Sequence, residues 1–462
     1  MAKVLLIQPH VDIRISGKGH DQIPLGLIYV ATAIRNKHSV CIYDRNIKPD
    51  NNEFFSFLED FKPDIVGFSS MTSSMLLDII QLGPLIKEKN KDIILVVGGV
   101  HATVEPESFL NEPCIDYVIR GEGESAFLEF CDIFDKNKKE LKNLKNVNKN
   151  ELRTSINLNQ LENPDFNLID IRRYVNIWIS TSRGCPGDCS FCYSKKMWSI
   201  NNSPCVRFLN SEKVKEILKD LIENHKITEF LIADDNFTTH KKRCLDICDF
   251  LYNEYNGKIT FYVQVRTDFV DKEIFDALKK AGCKYVQFGC ESGSQKVLDI
   301  LNKGVTVEKQ GESIILARKN KVFNYDSFML GIPGETIEDL KKTVQFIKKY
   351  KPDVVTPFIF HPLPGTFIFE NLIKEGKIKK PSSLADWALW NDNWLPVNGI
   401  IEKNYSEIPN ELLLKTIQEL WKYRFYRTKI KRLIWWLKRG KIKRIVKNIK
   451  VMVKHRKFSS NY

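Results

Sequence analysis

Three cysteines lie close together near the middle of the chain, in the segment TSRGCPGDCSFCYS at residues 181–194. Cys185, Cys189 and Cys192 have the spacing of one helical face, so the simplest interpretation is an apolar stripe packed into a core. The neighbouring residues disfavour a helix, because glycine, proline and aspartate lie before and between the first two cysteines. A loop that gathers three soft thiols is typical of an iron-sulfur cluster or of zinc.

The number of available thiols separates these alternatives. A structural zinc site needs four ligands, and Cys205 could supply the fourth. A 4Fe-4S cluster with one open iron needs only three cysteines. We therefore expect a 4Fe-4S cluster in this loop, with zinc and unliganded thiols as weaker alternatives.

Composition places the chain among ordinary globular proteins. It has 462 residues, of which 43% are hydrophobic and 11% aromatic, enough for two or three domains. The odd number of cysteines, eleven, and an N-terminus without a secretory pattern predict a reducing, cytoplasmic location. No apolar run approaches the roughly eighteen residues that a membrane-spanning helix needs.

The net charge of +14 is concentrated at the C-terminus. Residues 427–457 contain fourteen lysines and arginines and no acidic residue, so the rest of the chain is close to neutral. The tail has amphipathic helical patterns around Trp435 and Trp436, which favours peripheral contact with a membrane surface. A solvated helix packed on the protein is the main alternative, and we expect no nucleic acid, because no RNA-binding fold accompanies the basic run.

Residues 1–135 alternate short apolar runs with amphipathic stretches. The runs KVLLIQ, HSVCIYD, DIVGFSS, DIILVVGG and IDYVIRG predict the strands of a doubly wound, Rossmann-like parallel α/β sheet. Small polar residues follow several of these strands, where such sheets bind ligands, although ordinary turns would look similar.

Residues 136–173 are rich in lysine and asparagine and are expected to link two domains. In residues 174–365 the strand-then-helix rhythm returns six times, which predicts a partial (β/α)6 barrel, open on one side. The three-cysteine loop follows its first strand, so the polar ends of all six strands should face one mouth. Residues 366–462 are predicted to form a helical C-terminal region.

The cysteine loop, with Phe191 before the last cysteine, resembles the CxxxCxxC signature of radical S-adenosylmethionine (SAM) enzymes, and the six-unit barrel agrees with it. The resemblance implies that the three thiolates hold a 4Fe-4S cluster whose open iron is chelated by SAM. Reduction of the cluster, by a donor such as flavodoxin or ferredoxin, then cleaves SAM to a 5'-deoxyadenosyl radical.

The same resemblance implies positions for SAM. FGCESGS is similar to the segment that contacts the ribose or amino end, and MLGIPGE to the turn that holds the adenine. Two aspartates replace the Gly-Gly-Glu of many relatives, which leaves open which of them receives the ammonium. The predicted SAM-binding residues are Asp234, Asp235, Gln264, Arg266, Glu291, Ser292, Gly331 and Pro333.

The N-terminal region looks like the cobalamin-binding domain of cobalamin-dependent (class B) radical SAM proteins. The segments that carry this resemblance are PLGL, SSMTSS, GGVHAT and GEGE, and they imply cobalamin contacts at Leu25, Gly26, Ser69, Ser70, Gly98, Gly99, His101, Gly121 and Glu122. The order Asp-x-His-x-x-Gly is missing after the first strand. Cobalamin is therefore expected to bind without a protein histidine on cobalt, and His10 and His20 are expected to be loop residues.

The resemblance implies an enzyme that methylates an unactivated carbon of a lipid, isoprenoid or other natural product. A cobalamin-binding radical SAM enzyme that forms rings or rearranges its substrate is the alternative. An iron-sulfur or corrinoid-binding protein without turnover is less expected, because every barrel strand ends in polar residues.

Overall fold

The computed structural model describes residues 1–11, 22–199, 203–390, 401 and 403–421. Its strands form two parallel sheets and a small antiparallel ribbon. The predicted α/β architecture is confirmed.

The N-terminal sheet has five strands in the order β2-β1-β3-β4-β5, all parallel. This is a doubly wound order whose switch point lies between β1 and β3, where such sheets bind ligands. The strands are β1 (Lys3–Gln8), β2 (Ser39–Asp44), β3 (Ile65–Ser70), β4 (Ile94–Gly99) and β5 (Tyr117–Val118). The helices are α1 (Leu25–Ile34), α2 (Asn51–Phe61), α3 (Met75–Lys89), α4 (Val100–Val104), α5 (Pro106–Leu110) and α6 (Gly123–Lys136).

Local sequence sets the ends of α2. The Asp50 carboxylate accepts a hydrogen bond from the Glu53 amide at 2.9 Å, which satisfies one of the unpaired N–H groups of the first turn. The helix ends at Lys62, which has a left-handed φ of 50°. Phe54 and Leu58, four residues apart, are the buried face that packs on the sheet.

The second sheet is the barrel, with the order β13-β12-β11-β10-β9-β6 and every pair parallel. β7 and β8 pair as an antiparallel ribbon beside it. The strands are β6 (Trp178–Ile179), β7 (Ser182–Gly184), β8 (Val206–Phe208), β9 (Glu229–Ile232), β10 (Thr260–Val265), β11 (Cys283–Glu291), β12 (Phe323–Leu330) and β13 (Val354–Ile359). The helices are α7 (Ser194–Trp198), α8 (Ser211–Lys219), α9 (Lys241–Tyr255), α10 (Lys272–Ala281), α11 (Gln295–Ile300), α12 (Val307–Lys319) and α13 (Ile337–Tyr350).

The two faces of the barrel strands differ in polarity. The helix-facing side chains belong to the large hydrophobic core; examples are Phe261, Val263, Phe288, Phe328 and Val355. The alternate positions face the concave side and are half-buried; among them are the polar residues Gln264, Gln287, Ser327 and Thr356. A closed barrel fills its interior with branched apolar side chains. The concave side here mixes these polar residues with the contacting side chains of Tyr262, Tyr285 and Tyr325, and it is only partly buried.

The predicted linker, residues 136–173, packs against both the N-terminal sheet and the barrel. Leu141 and Val147 join a core of the N-terminal sheet, and Leu158, Phe166 and Ile171 join the barrel core. The domain boundaries at residues 135, 173 and 365 remain predictions.

The C-terminal region packs on both units, since residues 384–390 join a core of the N-terminal sheet and Leu413, Ile417 and Leu420 join the barrel core. It contains α14 (Phe367–Lys374) and α15 (Leu384–Trp390), and residues 410–421 are helical. Trp387 and Trp390 pack in the same core cluster as residues of β1 and α3. Of the helices described, none combines the length and hydropathy needed to cross a bilayer. The basic tail proposed for membrane contact lies outside the described residues.

Asp326 on β12 lies in the helix-facing core and is fully buried, and neither carboxylate oxygen has a hydrogen-bond partner among the described residues. Burial, and secondarily Asp353, raise the pKa of Asp326 well above its ordinary value. A group whose pKa is raised on folding stabilises the fold fully below the unfolded-state pKa, near 3.9, and this contribution is lost as the pH rises through the folded-state pKa.

We expect Asp326→Asn to increase the free energy of unfolding at pH 8 by about 1–3 kcal/mol, and by less at pH 5. Urea denaturation at both pH values measures the difference. Asp339→Asn is the matched control, because hydrogen bonds from Ser294 and Thr336 outweigh burial and lower the pKa of Asp339, so this change should destabilise. An equal gain for Asp326→Asn at both pH values would contradict the account.

Candidate functional site

The three-cysteine loop connects β7 to α7 and is not helical, as predicted. Cys185 and Cys189 are half-buried, and Cys192 is exposed. Ser190 anchors the loop to the barrel, since its amide donates to the Leu301 carbonyl at 2.9 Å and its hydroxyl to the Ile300 carbonyl at 3.0 Å. The loop therefore holds a fixed path over the mouth of the barrel.

Backbone amides donate to two of the sulfurs. The Gly187 amide lies 3.5 Å from Cys185 Sγ, and the Ser194 amide lies 3.4 Å from Cys192 Sγ. Such donors stabilise thiolate charge and tune iron-sulfur clusters.

The arrangement of the thiols bears on the choice between zinc and a cluster. In the described part of the chain, no group of three His, Cys, Asp or Glu side chains is arranged to hold a metal ion. Tetrahedral zinc, with Zn–S bonds of about 2.3 Å, would bring its ligand sulfurs to within about 3.8 Å of one another. The choice of a cluster over zinc therefore rests on the number of ligands, because a zinc site needs a fourth ligand and a cluster with one open iron needs only these three cysteines.

Arg266 lies directly under the loop. Its guanidinium makes a fork with the Asp268 carboxylate at 3.0 and 2.8 Å, donates to the Lys303 carbonyl at 2.8 Å, and directs Nη1 to Cys189 Sγ at 3.6 Å. A Cβ at position 187 would meet Nη1 at 2.5 Å, which explains the glycine in the loop. Arg266 thus supports the cysteine loop, and its contact with SAM stays a prediction.

Lys303 is a buried residue of the candidate site that was not predicted from the sequence. Its Nζ lies 3.0 Å from Glu291 Oε1, and the two side chains are only 7% and 10% exposed. Burial alone would lower the pKa of Lys303, but the Glu291 charge outweighs it and the pKa is raised, so a cation is held beside the loop. Glu291 adopts a left-handed φ of 64°, at a register break in β11. A single lysine in a short loop carries no pattern that could have predicted this role.

The structure distinguishes the two aspartates after β9. Asp234 is fully buried and accepts hydrogen bonds from the amides of Thr181 and Ser182 at 2.5 and 3.0 Å, so it holds the start of the cysteine strand in place. Asp235 is exposed and accepts from the Ser194 hydroxyl at 2.5 Å. Because Ser194 is the first residue of α7, directly after the cysteine loop, this hydrogen bond places Asp235 beside the loop.

The other predicted SAM positions lie at the same mouth. Gly331 has a φ of 81°, and its amide donates to Glu335 Oε2 at 2.6 Å, so the buried Glu335 closes the predicted adenine turn, which also contains Pro333. Burial raises the pKa of Glu335 to about 7. Ser292 is fully buried and hydrogen-bonds Thr343 at 3.0 Å, so its hydroxyl is engaged inside the fold.

The carboxyl edge of the N-terminal sheet brings the predicted cobalamin residues of β3 and β4 together. Ser69 lies opposite Gly98 and Ser70 opposite Gly99 in the parallel ladder. Gly99 has a φ of 98°, and a Cβ there would lie 2.6 Å from the Ser70 carbonyl. A ligand at this edge would thus meet a flat, side-chain-poor backbone.

Two predicted cobalamin contacts have other partners. The His101 ring is fully buried, with Nδ1 2.8 Å from the Thr72 hydroxyl and Nε2 3.1 Å from the Ser108 hydroxyl. Burial lowers the pKa of His101 to about 3, so the ring is neutral and structural. The Glu122 carboxylate accepts hydrogen bonds from Arg183 and Arg207. These side chains are not placed to face a ligand, and the contacts stay predictions.

Beside this edge, Leu25 is buried at the start of α1, and Gly26 is exposed with no described atom within 4 Å of an ideal Cβ. Gly121 has a φ of 75° at the turn after β5. Within the described residues, Gly26 and Gly121 thus present backbone without a side chain at this end of the domain.

Comparison with protein-family models gives two matches. The radical SAM superfamily model matches residues 179–347, and the B12-binding domain model matches residues 13–131.

Two curated proteins illustrate the sequence similarity. A protein of Pyrococcus horikoshii described as an uncharacterized methyltransferase is 32% identical over 388 residues, covering 80% of this chain and 83% of that protein. The anaerobic magnesium-protoporphyrin IX monomethyl ester cyclase of Rubrivivax gelatinosus is 28% identical over 332 residues, covering 67% of this chain and 59% of that protein.

Among solved structures, the radical SAM methyltransferase TsrM from Kitasatospora setae, with cobalamin and a [4Fe-4S] cluster bound, shares the fold. Its TM-score is 0.71 at 16% identity, over 93% of this chain and 90% of that chain. The cofactors expected from the sequence, namely a 4Fe-4S cluster, SAM and cobalamin, are those of this family. The chain therefore belongs to the radical SAM superfamily, as a methyltransferase-like enzyme with a B12-binding domain ahead of its radical SAM domain.

Proposed function

We propose that the enzyme methylates an unactivated carbon of an apolar small molecule such as a lipid, an isoprenoid or another natural product. When bound, the reduced cluster would cleave SAM to a radical that abstracts hydrogen from the substrate, and cobalamin would supply the methyl group. The observation that best supports this proposal is the junction of the two sheets. Arg183, in the strand that leads into Cys185, is ion-paired with Glu122, in the turn between β5 and α6.

Further contacts support the same juxtaposition. Lys380 forms an ion pair with Glu105 at 2.7 Å, which ties the C-terminal region to the segment after β4. α7, which follows the cysteine loop, packs against α4. The candidate cobalamin edge and the candidate cluster loop thus lie side by side, as methyl transfer between two SAM-dependent steps requires.

The chain's own residues have distinct proposed roles. Cys185, Cys189 and Cys192 would hold the cluster. Asp235 would receive the SAM ammonium, because it is exposed while Asp234 is fully buried. Glu291 would accept hydrogen bonds from SAM hydroxyl or ammonium groups, and the buried Lys303 would orient the Glu291 carboxylate.

Apolar side chains near both edges support an apolar substrate. Met71, just after β3, is 43% exposed, and Phe367, at the start of α14, is 67% exposed. The amide of the next residue, Ile368, donates to the Ser190 carbonyl of the cysteine loop at 3.0 Å, so Phe367 lies beside that loop.

Similarity to a cyclase supports a second candidate, ring formation or rearrangement by a cobalamin-binding radical SAM enzyme. SAM carrying a trideuterated methyl group distinguishes the two. With reduced, cofactor-loaded enzyme and candidate substrates, methylation predicts a product that carries the labelled methyl group. A product formed without label would support the cyclase and contradict methyl transfer.

Gly26 provides a separate test of the cobalamin site. Gly26→Ala should stabilise the cofactor-free protein by up to about 1 kcal/mol, since alanine is the better helix former and the position has open space. If cobalamin approaches this backbone, the same change should weaken its binding by about tenfold. Thermal unfolding and equilibrium dialysis measure the two effects, and unchanged cobalamin affinity would remove Gly26 from the site.

A further inference from the structure

A buried group of four charged side chains joins the cysteine loop to the N-terminal sheet. Arg183 lies on β7, two residues before Cys185, and its side chain is 12% exposed. The guanidinium lies between two aromatic rings, 5.6 Å from the Tyr29 ring of α1 and 5.5 Å from the Trp198 ring of α7. It therefore touches both the N-terminal domain and the helix that follows the cysteine loop.

Two carboxylates from the N-terminal domain face these cations. Glu122 and Glu124 bind opposite arms of the Arg183 guanidinium. Both lie at the start of α6, where the helix dipole favours negative charge. Arg207, directly opposite Arg183 in the ribbon, also binds Glu122, at 2.9 Å to Oε2. We call Arg183, Arg207, Glu122 and Glu124 the Arg183 bridge.

Burial makes the bridge stiff. Two arginines opposite each other on paired strands repel unless they are neutralised, and here two carboxylates balance them. All four side chains are between 6% and 12% exposed, so separating one pair would leave an uncompensated buried charge, which has a high energetic cost. The strand that enters the cysteine loop cannot shift against the edge of the N-terminal sheet without that cost.

We propose that Arg183 is a positioning residue that fixes the distance between the iron-sulfur cluster and cobalamin. The inference rests on the proposed function, because it assumes that both cofactors serve one reaction. It extends that function by naming the contact that sets the spacing of the two cofactors, in which the two arms of the Arg183 guanidinium bind Glu122 and Glu124.

The test is pulsed dipolar EPR between the reduced cluster and cob(II)alamin in the full-length, loaded protein without substrate. Wild type should give one narrow distance distribution. Arg183→Lys keeps the charge but loses the fork, and Glu124→Gln removes only the second carboxylate. Both should broaden the distribution and raise the amount of 5'-deoxyadenosine formed per S-adenosylhomocysteine by about threefold or more.

Tyr174→Phe is the matched control. It removes a different link to the N-terminal sheet, the hydrogen bond from the Tyr174 hydroxyl to Asp44 Oδ2 at 2.9 Å, and should leave the distribution narrow. Unchanged distributions in both bridge variants would overturn the proposal. If the Arg183→Lys variant binds little cluster or cobalamin, the distance distribution of the Glu124→Gln variant provides the test.

Hydrogen exchange provides a measurement that needs no cofactor. The amides of residues 182–185 should exchange about tenfold faster in both bridge variants than in wild type or Tyr174→Phe, and equal exchange would also overturn the proposal. Failure of the wild type to bind cobalamin would contradict the proposed function, while the exchange result would still decide the role of the bridge.

Discussion

Cys189→Ala should abolish the iron-sulfur absorbance and lower SAM cleavage to 5'-deoxyadenosine by about three orders of magnitude or more, because a cluster with one open iron needs all three of its cysteine ligands. The neighbouring residues support this expectation. Arg266 directs Nη1 to Cys189 Sγ, and Gly187 keeps that approach free of a side chain.

Cys205→Ala is the matched control for this change. Cys205 is exposed on the chain just before β8 and is the thiol that a zinc site would need as its fourth ligand. Its loss should leave iron, sulfide and SAM cleavage at wild-type values. Iron retained at full content in Cys189→Ala, or lost in Cys205→Ala, would show that the assigned ligands are wrong.

Lys303→Met should have the second large effect. It leaves the Glu291 carboxylate buried without its partner, and breaking a buried ion pair in this way costs about 3–5 kcal/mol. We therefore expect a lower free energy of unfolding of the barrel together with a large loss of SAM affinity, measured by denaturation and by equilibrium binding under anaerobic conditions.

A double-mutant cycle separates the pair from its surroundings. Lys303→Met combined with Glu291→Gln removes both charges and should recover part of the stability lost in the single variant, but not the SAM affinity. Lys303→Arg keeps the charge and should be the mildest change. A Lys303→Met protein as stable as wild type would show that the pair does not support the site.

The sheets could be predicted from sequence because their strands are short apolar runs separated by amphipathic helices. KVLLIQ and DIILVVGG form β1 and β4 with nearly the predicted bounds. The cysteine loop could also be predicted from its neighbours in the chain, because the glycines and the proline beside Cys185 disfavour a helix there. Such signals depend on neighbours in the chain, and the sequence displays them directly.

Side-chain partners distant in sequence could not be predicted. Glu122 follows a strand in a glycine-containing turn, which indicates a ligand contact, but its partner Arg183 is 61 residues away. The two aspartates after β9 are chemically equivalent until the fold buries Asp234 against Thr181. Trp387 packs on the N-terminal sheet although it lies almost three hundred residues after β4. Each depends on tertiary contacts that no local pattern encodes.

The measurement that tests the central claim most directly is the joint quantification of 5'-deoxyadenosine and S-adenosylhomocysteine. Reduced enzyme, loaded with cluster and cobalamin, is incubated anaerobically with SAM and candidate substrates, and Cys189→Ala is the parallel control. We predict that both products form together, only with substrate, and that the variant forms no 5'-deoxyadenosine. Deoxyadenosine without S-adenosylhomocysteine, in enzyme with both cofactors bound and substrate consumed, would contradict methyl transfer.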